Sequence, residues 1–344
     1  MKAAVFHENG GPEVLAVDDM PTPAPAPGEV RIRVQASSLN HLDLWMRRGL
    51  PIEIPMPHIG GSDIAGTVDE LGPGVHDFWL GKRVVVDPSL NYDWYQLARA
   101  AHGHSAPLEI IGEHTQGGFA EYAVAPAANL VEIPERVSSE VAAAAALVGV
   151  TAWHGLFSRG RLRPGERVLV TGASGGVSTM AVQYARAAGA EVFAVTSTGE
   201  GVRRVAALGA HHVFDRTTTH WPSEVFRATG KRGIDVCLDS VGEAVWRDLL
   251  RALAVGGRLV SFGATTGAAG AVDIRLVFWR QLTIMGSTMG TPAEFREAMH
   301  LVFDGTVAPP IHAVLPFEQV RQAHELLEAG DVFGKIVLRP ATEA

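Results

Sequence analysis

The stretch Arg167-Val168-Leu169-Val170-Thr171-Gly172-Ala173-Ser174-Gly175-Gly176-Val177-Ser178-Thr179-Met180-Ala181-Val182-Gln183 decides the reading of this chain. A short apolar run passes into a glycine-rich turn and then into a helical stretch over 178–188. Glycines let the backbone approach a pyrophosphate closely, and the helix that follows presents unpaired N–H groups and the positive end of its dipole. A glycine-rich string alone is weak evidence. Here a second apolar run at 190–195 and a second helix at 202–208 follow at the right distance, which points to a dinucleotide-binding turn. Ser178 replaces the last glycine of the fingerprint and is small enough for close helix–sheet packing.

Moving outward, the second strand ends Ala194-Val195-Thr196-Ser197-Thr198-Gly199, with no carboxylate at its tip to accept from a ribose 2′-OH. Arg203 and Arg204 follow within the next helix. Hydroxyls plus arginine suit a 2′-phosphate, so NADP(H) is favoured over NAD(H); otherwise both arginines are solvated surface charges. Further strands are expected at 213–214, 233–238, 257–262 and 282–285. Short apolar strands alternating with helices imply a parallel sheet covered on both faces, an α/β domain.

The first third is different. Residues 29–34 (Glu-Val-Arg-Ile-Arg-Val) alternate as a strand with one wet face should, and short strands are expected at 2–6, 66–70, 82–86 and 120–124. Pro21, Pro23, Pro25 and Pro27 stiffen the connection before the alternating strand. The tail carries helices at 292–304 and 317–329 and a last strand at 335–338, and the alanine run 142–146 opens a helix.

A chain of 344 residues is comfortable for two domains. The net charge of -8, with no basic run, argues against nucleic acid as a partner. No stretch of about 18 uncharged apolar residues is read in the chain, so no membrane span is expected; no secretory signal is read either, and the expected location is cytoplasmic. The single cysteine, Cys237, excludes an internal disulfide and reads as a small apolar residue of a buried strand.

Several motifs together resemble the medium-chain dehydrogenase/reductase superfamily over essentially the whole chain. They are Gly60-Gly61-Ser62-Asp63-Ile64-Ala65-Gly66, Gly112-Glu113-His114, Gly117-Gly118-Phe119-Ala120-Glu121-Tyr122, Thr151-Ala152-Trp153, the 172–178 turn, Asp239-Ser240-Val241-Gly242 and Phe333-Gly334-Lys335-Ile336-Val337-Leu338. The resemblance implies a GroES-like β-rich catalytic domain over 1–126 and 288–344, and a doubly wound Rossmann domain over 127–287. Cofactor contacts are implied at Thr151, Gly172, Ser174, Gly175, Gly176, Val177, Thr196, Ser197, Arg203, Arg204, Gly263 and Ser287. It also implies a homodimer or dimer of dimers through the final Rossmann strand within 282–289, which would cover an apolar edge.

The chain departs from zinc-dependent members of that family. Aligned by motif, the catalytic-zinc ligand positions hold Asn40, Ser62 and Leu147, none a good zinc donor. The structural-zinc lobe keeps its length but reads Asn91-Tyr92-Asp93-Trp94-Tyr95-Gln96-Leu97-Ala98-Arg99, without cysteine. No zinc is expected. A residual metal reading would gather His41, Asp43, His58, Ser62, Asp63 and His114; the preferred one has His58 at a surface or turn, the aspartates orienting neighbours, and His102 and His104 in a solvent-facing loop.

Without a Lewis acid, oxidation of simple alcohols is harder to explain than hydride delivery to an enone or quinone. Asn40-His41-Leu42-Asp43 is similar to the Asn-Pro-x-Asp segment of zinc-free quinone reductases, with His41 in place of proline. By that resemblance Asn40 lies close to the nicotinamide and Asp43 organises the loop, in an active site expected in the cleft between the domains. His41 is the candidate proton donor, or else a hydrogen-bonded wall residue. Trp45, Tyr92, Tyr95, Trp153 and Trp279 are candidates for an aromatic pocket around a flat small-molecule substrate. The expected function is thus NADPH-dependent reduction of a quinone, enone or related carbonyl. The alternatives are a metal-independent alcohol dehydrogenase and a low-turnover dinucleotide-binding sensor or scaffold.

Overall fold

A computed structural model describes residues 1–92 and 108–341. Tyr95, His102 and His104 lie outside the described residues. The chain divides into two units, Met1–Leu147 with Thr291–Ala344, and Val148–Gly290. The first boundary therefore falls later than residue 126, and the second at 290 rather than 287. The physical reason is pairing: strand Leu130–Glu132 is antiparallel to Arg83–Val86, with Leu130 opposite Val86, which keeps this segment in the first unit.

The first unit is built on a seven-stranded sheet. Its order is Leu130–Glu132, Arg83–Val86, Asp63–Leu71, Glu29–Ser38, Lys335–Arg339 and Ile311–Pro316, with Tyr122–Pro126 also pairing to Glu29–Ser38. In the alternating strand Val30, Ile32, Val34 and Ala36 are buried, while Arg33 and Gln35 face water. The alternation stops at Ser37 and Ser38, which are both fully buried. At that point the strand stops serving a plain core and enters the site. Phe6, Ile32, Ile64, Phe119, Phe317 and Ile336 fill the core beneath.

The second unit holds six parallel strands in the order His212–Asp215, Glu191–Thr196, Arg167–Val170, Ile234–Asp239, Leu253–Ser261 and Thr283–Gly286. Strand order reverses between Arg167–Val170 and Ile234–Asp239, the doubly wound switch point where dinucleotides bind beyond the carboxyl ends. Central strands are covered on both faces: Val168, Leu169, Val170, Val192, Phe193 and Cys237 are all at 0 % exposure. Burial pushes the Cys237 thiol well above its ordinary pKa, so it stays a neutral core residue.

One helix corrects the reading of the hydropathy pattern. Ser139–Trp153 continues as a π-helix over His154–Arg159, and this span is long and apolar enough to cross a membrane by length and composition. It contains an uncharged run over 141–158, contrary to the expectation that no such stretch occurs. Within the protein 78 % of the window is buried, the state of a core helix.

Candidate active site

In the second unit, the cofactor candidates gather at the carboxyl edge of the parallel sheet. Gly172 takes φ +52, and a Cβ there would come within 3.3 Å of Ser240 Oγ and Val241. The helix Gly176–Ala187 starts from Gly175 without a side-chain cap, so its first-turn N–H groups stay available to an anion. Ser178 Oγ donates to the Thr171 carbonyl at 2.8 Å, anchoring the helix to the strand. Ser174 and Thr196 share a hydroxyl–hydroxyl bond of 2.7 Å, and Thr198 caps the next helix by accepting from Gly201 N–H at 2.9 Å. Thr196 is buried and already engaged, while Ser197 is half-buried and Arg203 exposed. Gly263 and Ser287 stand just past the ends of the fifth and sixth strands, Ser287 N–H donating to Ser261 O at 2.9 Å. Thr151 is buried in the long helix. These residues fit a dinucleotide: glycines where the backbone must be approached, free helix N–H groups, and hydroxyls at the tip of the second strand.

Asp239 organises this edge. Its buried carboxylate accepts from Thr171 Oγ1 at 2.5 Å, Val241 N–H at 3.1 Å and Gly242 N–H at 3.0 Å. Burial raises its pKa against the lowering effect of these bonds.

In the first unit a buried polar network surrounds Asp63, which has 0 % exposure. Asp63 Oδ2 accepts from Ser38 Oγ at 2.5 Å, Asn40 Nδ2 at 2.9 Å and Lys335 Nζ at 3.2 Å, and Oδ1 accepts from Leu147 N–H at 2.7 Å. Lys335 Nζ also donates to Asn40 Oδ1 at 2.5 Å. Burial pushes the Lys335 pKa down while the Asp63 carboxylate opposes the shift.

Asn40 is the N-cap of helix His41–Arg48, and Asp43 closes the turn by accepting from Asn40 N–H at 2.7 Å and Gly61 N–H at 2.9 Å. His41 is exposed on the first turn, its ring 6.4 Å from that of Trp45. Crowding by surrounding protein, with a smaller push from Lys335, holds its pKa below the usual imidazole value.

Two expectations are corrected here. His58 is not at a surface or turn: it is fully buried in strand His58–Ile59 and its Nε2 is 3.0 Å from Gly112 O. Trp279 lines no aromatic pocket; it is 81 % exposed on helix Ile274–Arg280, next in sequence to the edge strand. Trp153 packs instead on Phe157 and Tyr184, at 4.6 and 5.4 Å. Trp45 is partly exposed and Tyr92 buried in the first unit.

Sequence reasoning missed Lys335 as a site residue, while Asp63 was named there as a possible metal ligand or as orienting its neighbours. One signal was present. The chain has four lysines, of which Lys2 and Lys335 open apolar strands, and only Lys335 does so inside a family motif, Phe333–Leu338.

No group of three or more His, Cys, Asp or Glu able to hold a metal occurs among the described residues. At the three positions aligned with zinc ligands, the Asn40 amide is bonded at both its oxygen and its nitrogen, and Leu147 offers an alkyl chain. Ser62 Oγ is buried without a hydrogen-bond partner among the described residues. With an ammonium already against Asn40, this donor set does not fit zinc.

Residues 26–135 match the alcohol dehydrogenase GroES-like domain and residues 176–304 the zinc-binding dehydrogenase domain. The chain is 33% identical to a zinc-type alcohol dehydrogenase-like protein of Schizosaccharomyces pombe, over 90% of each chain. It is 30% identical to quinone oxidoreductase of Rattus norvegicus, covering 98% of this chain and 97% of that one. The chain belongs to the medium-chain dehydrogenase/reductase superfamily.

Other relatives within the superfamily include a 2-haloacrylate reductase of Burkholderia sp, 29% identical over 98% of both chains. Among solved structures, an NAD-dependent alcohol dehydrogenase superposes with a TM-score of 0.93 at 42% identity, covering 98% of this chain and 99% of that one. A crotonyl-CoA carboxylase/reductase in complex with NADP does so with a TM-score of 0.89 at 26% identity, covering 98% and 94%. This medium-chain dehydrogenase/reductase is an oxidoreductase of the nicotinamide-dependent kind.

Asp43 gives the site a measurable signature. Burial raises its carboxyl pKa from 3.8 to about 6. The folded state then holds the proton more tightly than the unfolded chain, so the contribution is complete below pH about 4 and is lost as pH rises toward 6, roughly 3 kcal/mol in all. Urea denaturation should show this decline in the parent protein and not in Asp43→Asn. A carboxyl carbon of Asp43 titrating below pH ~4.5 by NMR would contradict it.

Proposed function

We propose that this oxidoreductase is a cytoplasmic, zinc-independent reductase acting from NADPH on a quinone, an enone or a related conjugated carbonyl compound. The observation that carries this reading is the Asn40 amide, buried to 7 % exposure and held by Lys335 and Asp63 where zinc-dependent relatives place a metal ligand. Such a site offers a hydrogen bond to a substrate oxygen rather than a metal–oxygen bond. A hydrogen bond suits an oxygen that gains charge during reduction; it is a poor means of ionising an alcohol. The quinone oxidoreductase, 2-haloacrylate reductase and crotonyl-CoA carboxylase/reductase relatives are all named for conjugated acceptors, which supports the same class.

When bound, reduced nicotinamide supplies the hydride. In this reading the Asn40 Nδ2–H stabilises the charge that develops on the substrate oxygen. His41, in its imidazolium form, gives up the proton that completes the reduction, and its lowered pKa makes it a readier donor of that proton. Asp43 keeps the Asn40 turn closed against Gly61. NADPH over NADH is supported by the absence of a carboxylate at Thr196-Ser197-Thr198 and by Arg203 in the helix after it. The resemblance to an NAD-dependent alcohol dehydrogenase favours, as a second reading, metal-independent alcohol oxidation. A low-turnover binding role would leave the Asn40 network without a task.

We also propose a two-fold dimer. Strand Thr283–Gly286 is the sheet edge, pairing with Leu253–Ser261 on one side, and Ile274, Phe278 and Trp279 beside it in sequence are 75, 64 and 81 % exposed in the single chain. A self-complementary contact would cover both.

Four measurements check these proposals. Purified protein should oxidise NADPH in the presence of a quinone or enone panel and should not reduce NADP+ with primary alcohols. His41→Ala should lower that turnover by roughly two to four orders of magnitude with cofactor affinity nearly unchanged; full turnover in the variant would move the proton donor elsewhere. Arg203→Ala should weaken NADPH binding by about ten- to a hundredfold and leave NADH binding alone, the usual worth of a charge-assisted bond; equal loss for both cofactors, or none, counts against a 2′-phosphate contact. Light scattering at micromolar concentration should give at least a dimer, and a monomer would remove the two-fold contact.

A further inference from the structure

Of the four lysines, Lys2 and Lys231 are exposed and Lys82 is half-buried, while Lys335 is 3 % exposed. Burying an ammonium is expensive, and paired buried charges are often no better for stability than apolar residues of the same volume. Packing alone therefore gives no reason for a lysine in the apolar strand Lys335–Arg339. The contacts of its Nζ supply one. An ammonium has only donors and a carboxylate only acceptors. The amide between them has a single consistent orientation, with Oδ1 accepting from Lys335 and one Nδ2–H donating to Asp63. The other Nδ2–H is left over.

The backbone that carries this amide is held in place. Asn40 N–H is tied to Asp43 Oδ2 at 2.7 Å and Asn40 O accepts from Asp43 N–H at 3.1 Å. Lys335 is equally fixed: Gly334 has φ +83, and a Cβ there would lie 2.0 Å from Pro310 O, so the turn that delivers Lys335 admits only glycine. Lys335 N–H in turn donates to Pro310 O at 2.9 Å. A hydrogen bond from a cation to one end of an amide draws charge through it and strengthens the N–H at the other end.

We propose that Lys335 is a positioning residue: braced by Asp63, its buried ammonium locks and polarises the Asn40 amide so that the remaining Nδ2–H is the donor to the substrate oxygen. This rests on the reductase reading for the identity of the substrate, but the state of the amide is testable apart from it. Lys335 itself need touch neither substrate nor cofactor.

The test uses Lys335→Met, of similar length and without charge, in the full chain. With NADPH and an accepted quinone, kcat should fall by roughly tenfold to a thousandfold, the worth of an oriented donor, while the KM for NADPH changes by less than about twofold. The chain has four asparagines, Asn9, Asn40, Asn91 and Asn129, so selective side-chain ¹⁵N labelling gives four amide groups to follow. The Asn40 NH₂ resonances should move in the variant and the other three should not. If the single variant does not fold, Lys335→Met combined with Asp63→Asn removes both charges and carries the same measurements. Full kcat, or a lowered kcat with unmoved Asn40 resonances, overturns the proposal while leaving the reductase reading intact. If the parent protein turns over no member of the panel, the reductase reading falls, and the Asn40 resonances alone decide whether Lys335 holds the amide.

Discussion

A carboxylate with no access to water must be given donors by the protein, and Asp63 receives four. They come from a strand end (Ser38), a helix cap (Asn40), a helix backbone (Leu147) and the last strand of the chain (Lys335). The sequence separations are 25, 23, 84 and 272 residues. This one charge therefore requires the chain to leave the first unit, complete a whole six-stranded domain, and come back. The return is anchored by Val337 opposite Ser38 and Leu338 opposite Ser37. It brings Lys335 to the place where the long strand's alternation has already given way to two buried serines. Losing Lys335 would leave the carboxylate without its counter-charge, at a cost of about 3–5 kcal/mol for an uncompensated buried charge.

The two units solve their chemical tasks by different means, and that difference decides what could be read from the residues. The nucleotide edge is a backbone device: Gly172 at positive φ, Gly175 at the helix start and Ser178 against Thr171 lie within seven residues of one another. Local steric requirements leave a local signature, so strand, turn and helix were all legible there. The first unit works through side chains brought together over hundreds of residues. Lys335 was visible only as part of a motif, because nothing near it in sequence says what its ammonium meets.

The misreadings have the same origin. His58 looks like a turn residue from its neighbours Pro57 and Gly60, yet pairing of His58 with Phe6 places it in a buried strand. Trp279 is as large and apolar as a pocket residue, and only the fold shows it on an exposed helix. The expected boundary at 126 lies just past the expected strand 120–124. The three-residue strand Leu130–Glu132, too short for its alternation to register, carries the first unit further. The apolar helix shows the limit of composition in another way. An alanine-rich, uncharged run can be a core helix or a membrane span, and burial by the surrounding fold decides between them.

A fixed ammonium differs from a metal ion in ways that bear on the chemistry proposed here. A divalent ion binds substrate oxygen directly and can ionise an alcohol, but it needs open coordination and several basic ligands. Lys335 has its donors directed at Asn40 and Asp63, so any influence on a substrate must pass through the amide as orientation and polarisation. That arrangement can stabilise a growing negative charge and has little to offer a proton that must first be removed from an alcohol. It also leaves no vacancy for a metal at the amide oxygen, since coordination there would first have to displace the lysine from a pair sealed inside the unit. The reductive direction and the absence of metal dependence, on this reading, have a common cause in one buried cation supplied by the chain itself.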